Sequence, residues 1–147
     1  MNSKPEAAVD VFNKGFNCAQ AVLSSYCEEF GLSDTVAKKI SCGFGAGLAY
    51  NGEVCGAVSG AIMVIGLKYG KYAESDNDAK EKTYKLVKEF IDNFKKENGS
   101  INCTGLIKYD LSKDDELLKA RETGVFKNVC PLLVKKSVGI LEEILKK

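Results

Sequence analysis

Apolar residues recur along this chain at three- and four-residue spacing almost from end to end, the signature of amphipathic helices. Pro5 opens the first, in which Ala8, Val9 and Phe12 share a face. The run Asn13-Lys14-Gly15-Phe16-Asn17 interrupts it. A second helix resumes at Cys18, carries Tyr26 and Phe30 on one stripe, and stops at Gly31. Ser33-Asp34 caps a short helix bearing Val36, Ala37 and Ile40. Gly43 to Gly52 reads as a glycine-rich loop. A longer helix is predicted from about Glu53 to Lys68, with Ala57, Gly60, Ala61 and Val64 forming a face of small residues. Glu74 to Lys96 alternates charge with Tyr84, Val87, Phe90, Ile91 and Phe94, one face of a long helix that Asn98-Gly99-Ser100 ends. Cys103 to Tyr109 and Asp114 to Arg121 predict shorter helices, and the last begins at Cys130-Pro131 and runs to Ile144. No alternating segment has a hairpin partner, and no repeat or linker divides the chain. The expectation is an all-α single domain over residues 1–147, a bundle of about five to seven helices with a glycine-rich loop.

Composition narrows the chemistry. The chain has 147 residues, 45% hydrophobic and 28% charged, with six cysteines, no tryptophan and no histidine. The missing histidine excludes Ser-His-Asp and Cys-His catalysis, His-ligated haem and mixed His/Cys zinc sites within this chain. Lys+Arg 21 against Asp+Glu 20 leaves a net charge of +1, so no bulk field points to nucleic acid or to an anionic membrane. The most apolar stretch, Val54 to Leu67, is broken by Gly56, Gly60 and Gly66 and is too short to span a bilayer. The first residues, Met1-Asn2-Ser3-Lys4-Pro5-Glu6, lack the apolar core of a secretory signal, so the expected compartment is the cytoplasm. Cysteines there are more often buried hydrophobes, metal ligands or redox thiols than disulfides.

No two of the six cysteines form a C-x-x-C pair, so any joint action must be assembled by tertiary structure. Cys18, Cys55, Cys103 and Cys130 each follow a local break at the start of a predicted helix. Asn17 reads as the cap before Cys18, and Pro131 makes Cys130 itself the expected cap of the last helix. Helix starts present unpaired N–H groups and partial positive charge, which favour a thiolate. All four are therefore candidate low-pKa nucleophiles or metal ligands, set against the ordinary reading of cysteine as a small buried hydrophobe. Cys27 lies in the stripe of Leu23 and Phe30 and reads as packing; Cys42 stands beside the glycine loop and outside the candidate set. Gly43-Phe44-Gly45-Ala46-Gly47 has no preceding strand and fits neither a dinucleotide fingerprint nor a P-loop. Asp76, Asp78 and Glu81, and the pairs Lys95-Lys96, Lys135-Lys136 and Lys146-Lys147, read as solvated helix surface.

Taken in order, these segments resemble the C-GCAxxG-C-C family of redox-active proteins. The resemblance is carried by Gly15-Phe16-Asn17-Cys18-Ala19-Gln20-Ala21-Val22, by Cys55-Gly56-Ala57-Val58-Ser59-Gly60 with Val54 in place of a glycine before it, by Ile65-Gly66-Leu67-Lys68-Tyr69-Gly70, by Asn102-Cys103-Thr104-Gly105-Leu106 and by Asn128-Val129-Cys130-Pro131. It implies a small helical protein whose Cys18, Cys55, Cys103 and Cys130 form one redox or metal centre, with Cys27 and Cys42 outside the motif. The first expectation is an iron–sulfur cluster on four thiolates, serving electron transfer with a partner protein the sequence does not identify. Gly56, Ala57 and Gly60 would leave room for it and let backbone N–H groups reach its sulfurs. The alternatives are a metal-free thiol–disulfide protein and a structural four-cysteine zinc domain. Whether the chain is itself an oxidoreductase stays open, and the small-residue face of the Val54–Leu67 helix would permit a homodimer. Every version requires the four cysteines to become neighbours.

Overall fold

A computed structural model describes residues 2–147. Its elements are α1 (Lys4–Asn13), α2 (Cys18–Tyr26), α3 (Asp34–Ser41), α4 (Gly45–Leu48), α5 (Gly56–Tyr69), α6 (Asn77–Asn98), α7 (Cys103–Ile107), α8 (Asp114–Thr123), α9 (Val125–Asn128) and α10 (Cys130–Ile144), with 3-10 turns at Cys27–Phe30 and Cys42–Phe44. The all-α single domain is as expected. Eight of these helices run to five residues or more, just beyond the expected total of five to seven, and the two short helices predicted after Gly99 form as α7 and α8. None is long and apolar enough to cross a membrane among the described residues.

Local chemistry sets the boundaries. Ser3 caps α1 in a capping box with Glu6, and Asn17 caps α2 in another with Gln20. Ser33 caps α3, and Asp76 caps α6. The second helix turns into a 3-10 segment at Cys27 before Gly31 ends it in the left-handed region, at φ 82°. In α6 the buried line is Leu86, Phe90 and Phe94; Val87 and Ile91 flank it, and Tyr84 stands 58% exposed, off the stripe expected for it.

The core forms where α2, α5 and α10 meet, closed by α1 on α10 and by α6 on α5 and α10. Val22, Leu23, Val58, Val64, Ile65, Val134, Val138 and Leu141 are fully buried there. The small-residue face of α5 is spent inside this core. A Cβ on Gly60 would stand 2.9 Å from the Ala19 carbonyl oxygen, and one on Gly56 2.8 Å from the Ala19 backbone nitrogen. Glycine therefore lets α5 lie backbone-to-backbone on α2. Ser137 fastens the third helix by donating to the Ala57 carbonyl at 2.6 Å. A second copy of the chain would have to use another surface.

The Gly43–Gly52 stretch departs most from expectation. It does not run as open loop: a 3-10 turn leads into α4, and Ala46, Gly47, Leu48, Ala49 and Tyr50 all have positive φ, between 52° and 68°. Five successive residues thus wind in the left-handed sense, which L-residues other than glycine resist. Its packing demands this shape. A Cβ on Gly47 would strike the Glu53 nitrogen at 2.6 Å and the Cys103 Cβ at 2.7 Å.

Candidate functional site

Each motif cysteine is set at a helix start by a different local device. Cys18 is the first residue of α2, behind the Asn17 cap. Cys55 is itself the N-cap of α5. Cys103 opens α7 after Asn102, and Cys130 opens α10. The expected cap role of Cys130 falls to Val129: α9 feeds almost directly into α10, with the Val129 N–H bonded to the Val125 carbonyl, so Pro131 takes the second helical position.

Two of the thiols are brought together by a single antiparallel bridge between Val54 and Asn102. Within it the Cys55 N–H donates to the Ile101 carbonyl at 2.7 Å, and the Cys103 N–H to the Glu53 carbonyl at 2.6 Å. Thr104 reinforces the crossing by donating from its hydroxyl to the Gly52 carbonyl at 3.0 Å. The packing of α2 on α5, through Gly56, places Cys18 beside them, and α10 supplies Cys130. All four cysteines line one cavity of about 330 Å³, and each is buried. Phe12, Phe16, Ile107, Phe126 and Leu133 give that cavity apolar walls; Ala46, Gly47 and Tyr50 of the left-handed turn and Arg121 of α8 complete it. Gly56 borders it too, whereas Gly60 faces α2.

The remaining cysteines lie elsewhere. Cys27 is fully buried in the core, with its thiol donating to the Ser24 carbonyl at 3.5 Å, and Cys42 is exposed beside Gln20, Lys38 and Lys39. None of the six is in a disulfide.

The thiols differ in acidity more than their shared position at helix starts predicts. Cys55 is the one whose pKa is lowered, first by the neighbouring Cys18 thiol and then by the Ala57 and Val58 N–H groups aimed at its sulfur, against the cost of burial. Cys18 is raised well above the ordinary thiol value, first because its thiol proton is held in hydrogen bonds with the Cys130 and Cys55 sulfurs, then by burial, with the charges of those two neighbours adding to the effect. Burial pushes Cys103 up to about 12, with Cys55 and Cys130 contributing. A helix N-terminus thus fails to lower the pKa of these two thiols. Hydrogen bonds with neighbouring sulfurs at Cys18, and desolvation at Cys103, outweigh it, with like-charge neighbours adding to both.

Among the described residues no three His, Cys, Asp or Glu side chains are arranged to hold a single metal ion. The four thiols border one cavity, with Cys18 in hydrogen-bond contact with Cys55 and Cys130.

A helical bundle whose helix starts deliver four buried thiols to one apolar cavity defines a protein built around a sulfur centre. A family model described as "Putative redox-active protein (C_GCAxxG_C_C)" matches residues 16–144, and the chain belongs to that family. No curated protein and no solved structure matches the chain.

Beyond Asn17, Gly47 and Gly56, the sequence missed most of what surrounds the thiols. Phe12, Phe16, Tyr50, Arg121 and Phe126 belong to five separate segments. The one early signal was that Arg121 is the only arginine among 21 basic residues.

Proposed function

We propose that this protein is an electron carrier whose Cys18, Cys55, Cys103 and Cys130 thiolates hold an iron–sulfur cluster. The observation that carries the reading is the convergence of these four thiols, from four different helix starts, on one cavity of about 330 Å³. The donor set suits it: four cysteine thiolates suffice to hold a cluster, and this chain offers four with no competing imidazole. A single zinc ion on the same four thiols would bring neither sulfide nor visible absorbance, which separates it from a cluster. When bound, the cluster would supply one-electron chemistry. The chain's own part is to exclude water with Phe12, Phe16, Phe126 and Leu133, and to aim the Ala57 and Val58 N–H groups at the Cys55 sulfur. Iron and sulfide are measured after anaerobic purification, together with visible absorbance. Both are expected in stoichiometric amount and are lost in Cys55→Ser; a colourless protein that takes up neither on reconstitution overturns the proposal.

A second reading, metal-free thiol–disulfide exchange, is favoured by one observation. Cys55, with its lowered pKa, lies against Cys18, with its raised one, as an attacking thiolate lies against a partner that keeps its proton. Pairing that thiolate with the Cys18 thiol forms one S–S bond and releases one proton and two electrons to an acceptor. Oxidation followed by mass spectrometry would then show a loss of two hydrogens in the peptide pair of Cys18 and Cys55.

A further inference from the structure

Arg121 is the one charged side chain that lines the thiol cavity. It takes part in none of the ion pairs among the described residues, all of which use lysine. Its guanidinium lies 5.7 Å from the centre of the Tyr50 ring, and both residues are exposed while the four cysteines are buried. The cation therefore marks the mouth of the cavity and the sulfurs its floor. The ring arrives there on the left-handed turn at residues 46–50, a conformation costly for alanine, leucine and tyrosine. A planar cation held over an aromatic ring, at the open end of a largely apolar cavity and in no ion pair, is arranged to take an oxyanion from solution.

We infer that the cavity mouth is an anion-recognition site, in which Arg121 braced on Tyr50 binds the carboxylate of a small organic acid whose apolar body enters between Phe16 and Phe126. The site shares its cavity with the sulfur centre proposed above but does not require those thiols to be redox-active. The carboxylate takes two parallel N–H donors from the guanidinium, and the aliphatic or aromatic remainder displaces water from the apolar walls.

The test uses the full anaerobically purified chain and three probes of one shape: hexanoate, 1-hexanol and hexylammonium. Affinities come from calorimetry, and the location from amide chemical-shift changes. Hexanoate is expected to bind about tenfold or more tightly than hexanol, since hydrogen bonds to charged groups are worth roughly 1.5–3 kcal/mol, with hexylammonium weakest and the shifts centred on Tyr50, Arg121 and Phe126. Arg121→Gln should bring hexanoate down to the level of hexanol, and Arg121→Lys should restore part of the difference. Equal binding of hexanoate and hexanol, a preference that survives Arg121→Gln, or shifts confined to the lysine-rich face of α6 would each overturn the inference. Iron, sulfide and thiol titres on the same samples score the redox reading separately, so either conclusion can fail alone.

Discussion

Cys103 is the residue at which burial acts most plainly. Its thiol is held up to about 12 from an ordinary 9.0, with desolvation as the first cause. A thiol whose folded pKa exceeds its unfolded value binds its proton more tightly in the folded state. Its contribution to stability is therefore whole below about pH 9 and is lost as pH rises from there towards 12. The slope is at most about 1.4 kcal/mol per pH unit for one such group. Cys18, shifted the same way, adds to it. Urea unfolding of the reduced chain between pH 8 and pH 10.5 should show a falling midpoint, with a shallower fall in Cys103→Ala. A midpoint that stays flat across that range would mean that Cys103 is not buried as a thiol. The positions of the four cysteines could be read from the sequence because each follows a strong local signal: Asn17, Gly52, Asn98-Gly99 or the following Pro131. Their acidities could not, because they depend on which thiol neighbours which.

The helices that carry these residues owe their spacing to the absence of side chains. Gly60 and Gly66 lie on the same helix, α5, and have opposite surroundings. A Cβ at position 60 meets the Ala19 carbonyl oxygen at 2.9 Å and the Val22 Cβ at 3.1 Å; at position 66 it meets nothing within 4 Å. Gly60→Ala should force α5 off α2 and cost about 1–3 kcal/mol. Gly66→Ala should stabilise the chain by up to about 1 kcal/mol, through helix propensity alone. Denaturant midpoints of the two variants settle the comparison, and a Gly60→Ala protein as stable as the parent would refute the close approach. The small face itself could be read from Ala57, Gly60, Ala61 and Val64, but not the helix it meets, since periodicity marks a buried face without naming its partner. The left-handed turn was hidden for a different reason. Alanine, leucine and tyrosine carry no local preference for positive φ, so only packing around Gly47 and Cys103 dictates it.

At the scale of the whole molecule the chain divides into a framework and a cover. The framework is α1, α2, α5, α6 and α10, which pack most extensively on one another and carry Cys18, Cys55 and Cys130. The cover is the stretch from α7 to α9, which brings Cys103, Arg121 and Phe126 over the cavity. Its ties are slighter at α7 and α8, which pack chiefly on α4 and on α9, with the Val54–Asn102 bridge and the Thr104 hydroxyl holding the leading end; α9 packs on α10, and Ile107, Leu111, Ala120 and Val125 are buried. Segments with few buried contacts open at lower free energy than the core. Native-state hydrogen exchange on the reduced chain should therefore show amides of α7 and α8 exchanging faster than those of α5 and α10. Cys103 is the sulfur through which the centre can act on this cover. Any bond it makes with the other three, through a metal cluster or as a disulfide, ties the cover to the framework and should slow exchange throughout α7. Cys103→Ser should abolish that slowing, whereas Cys42→Ser, on an exposed cysteine away from the cavity, should leave it intact. Equal exchange in all of these helices, before and after the centre is filled or oxidised, would show that the cover is already as firmly held as the core and that Cys103 gates nothing.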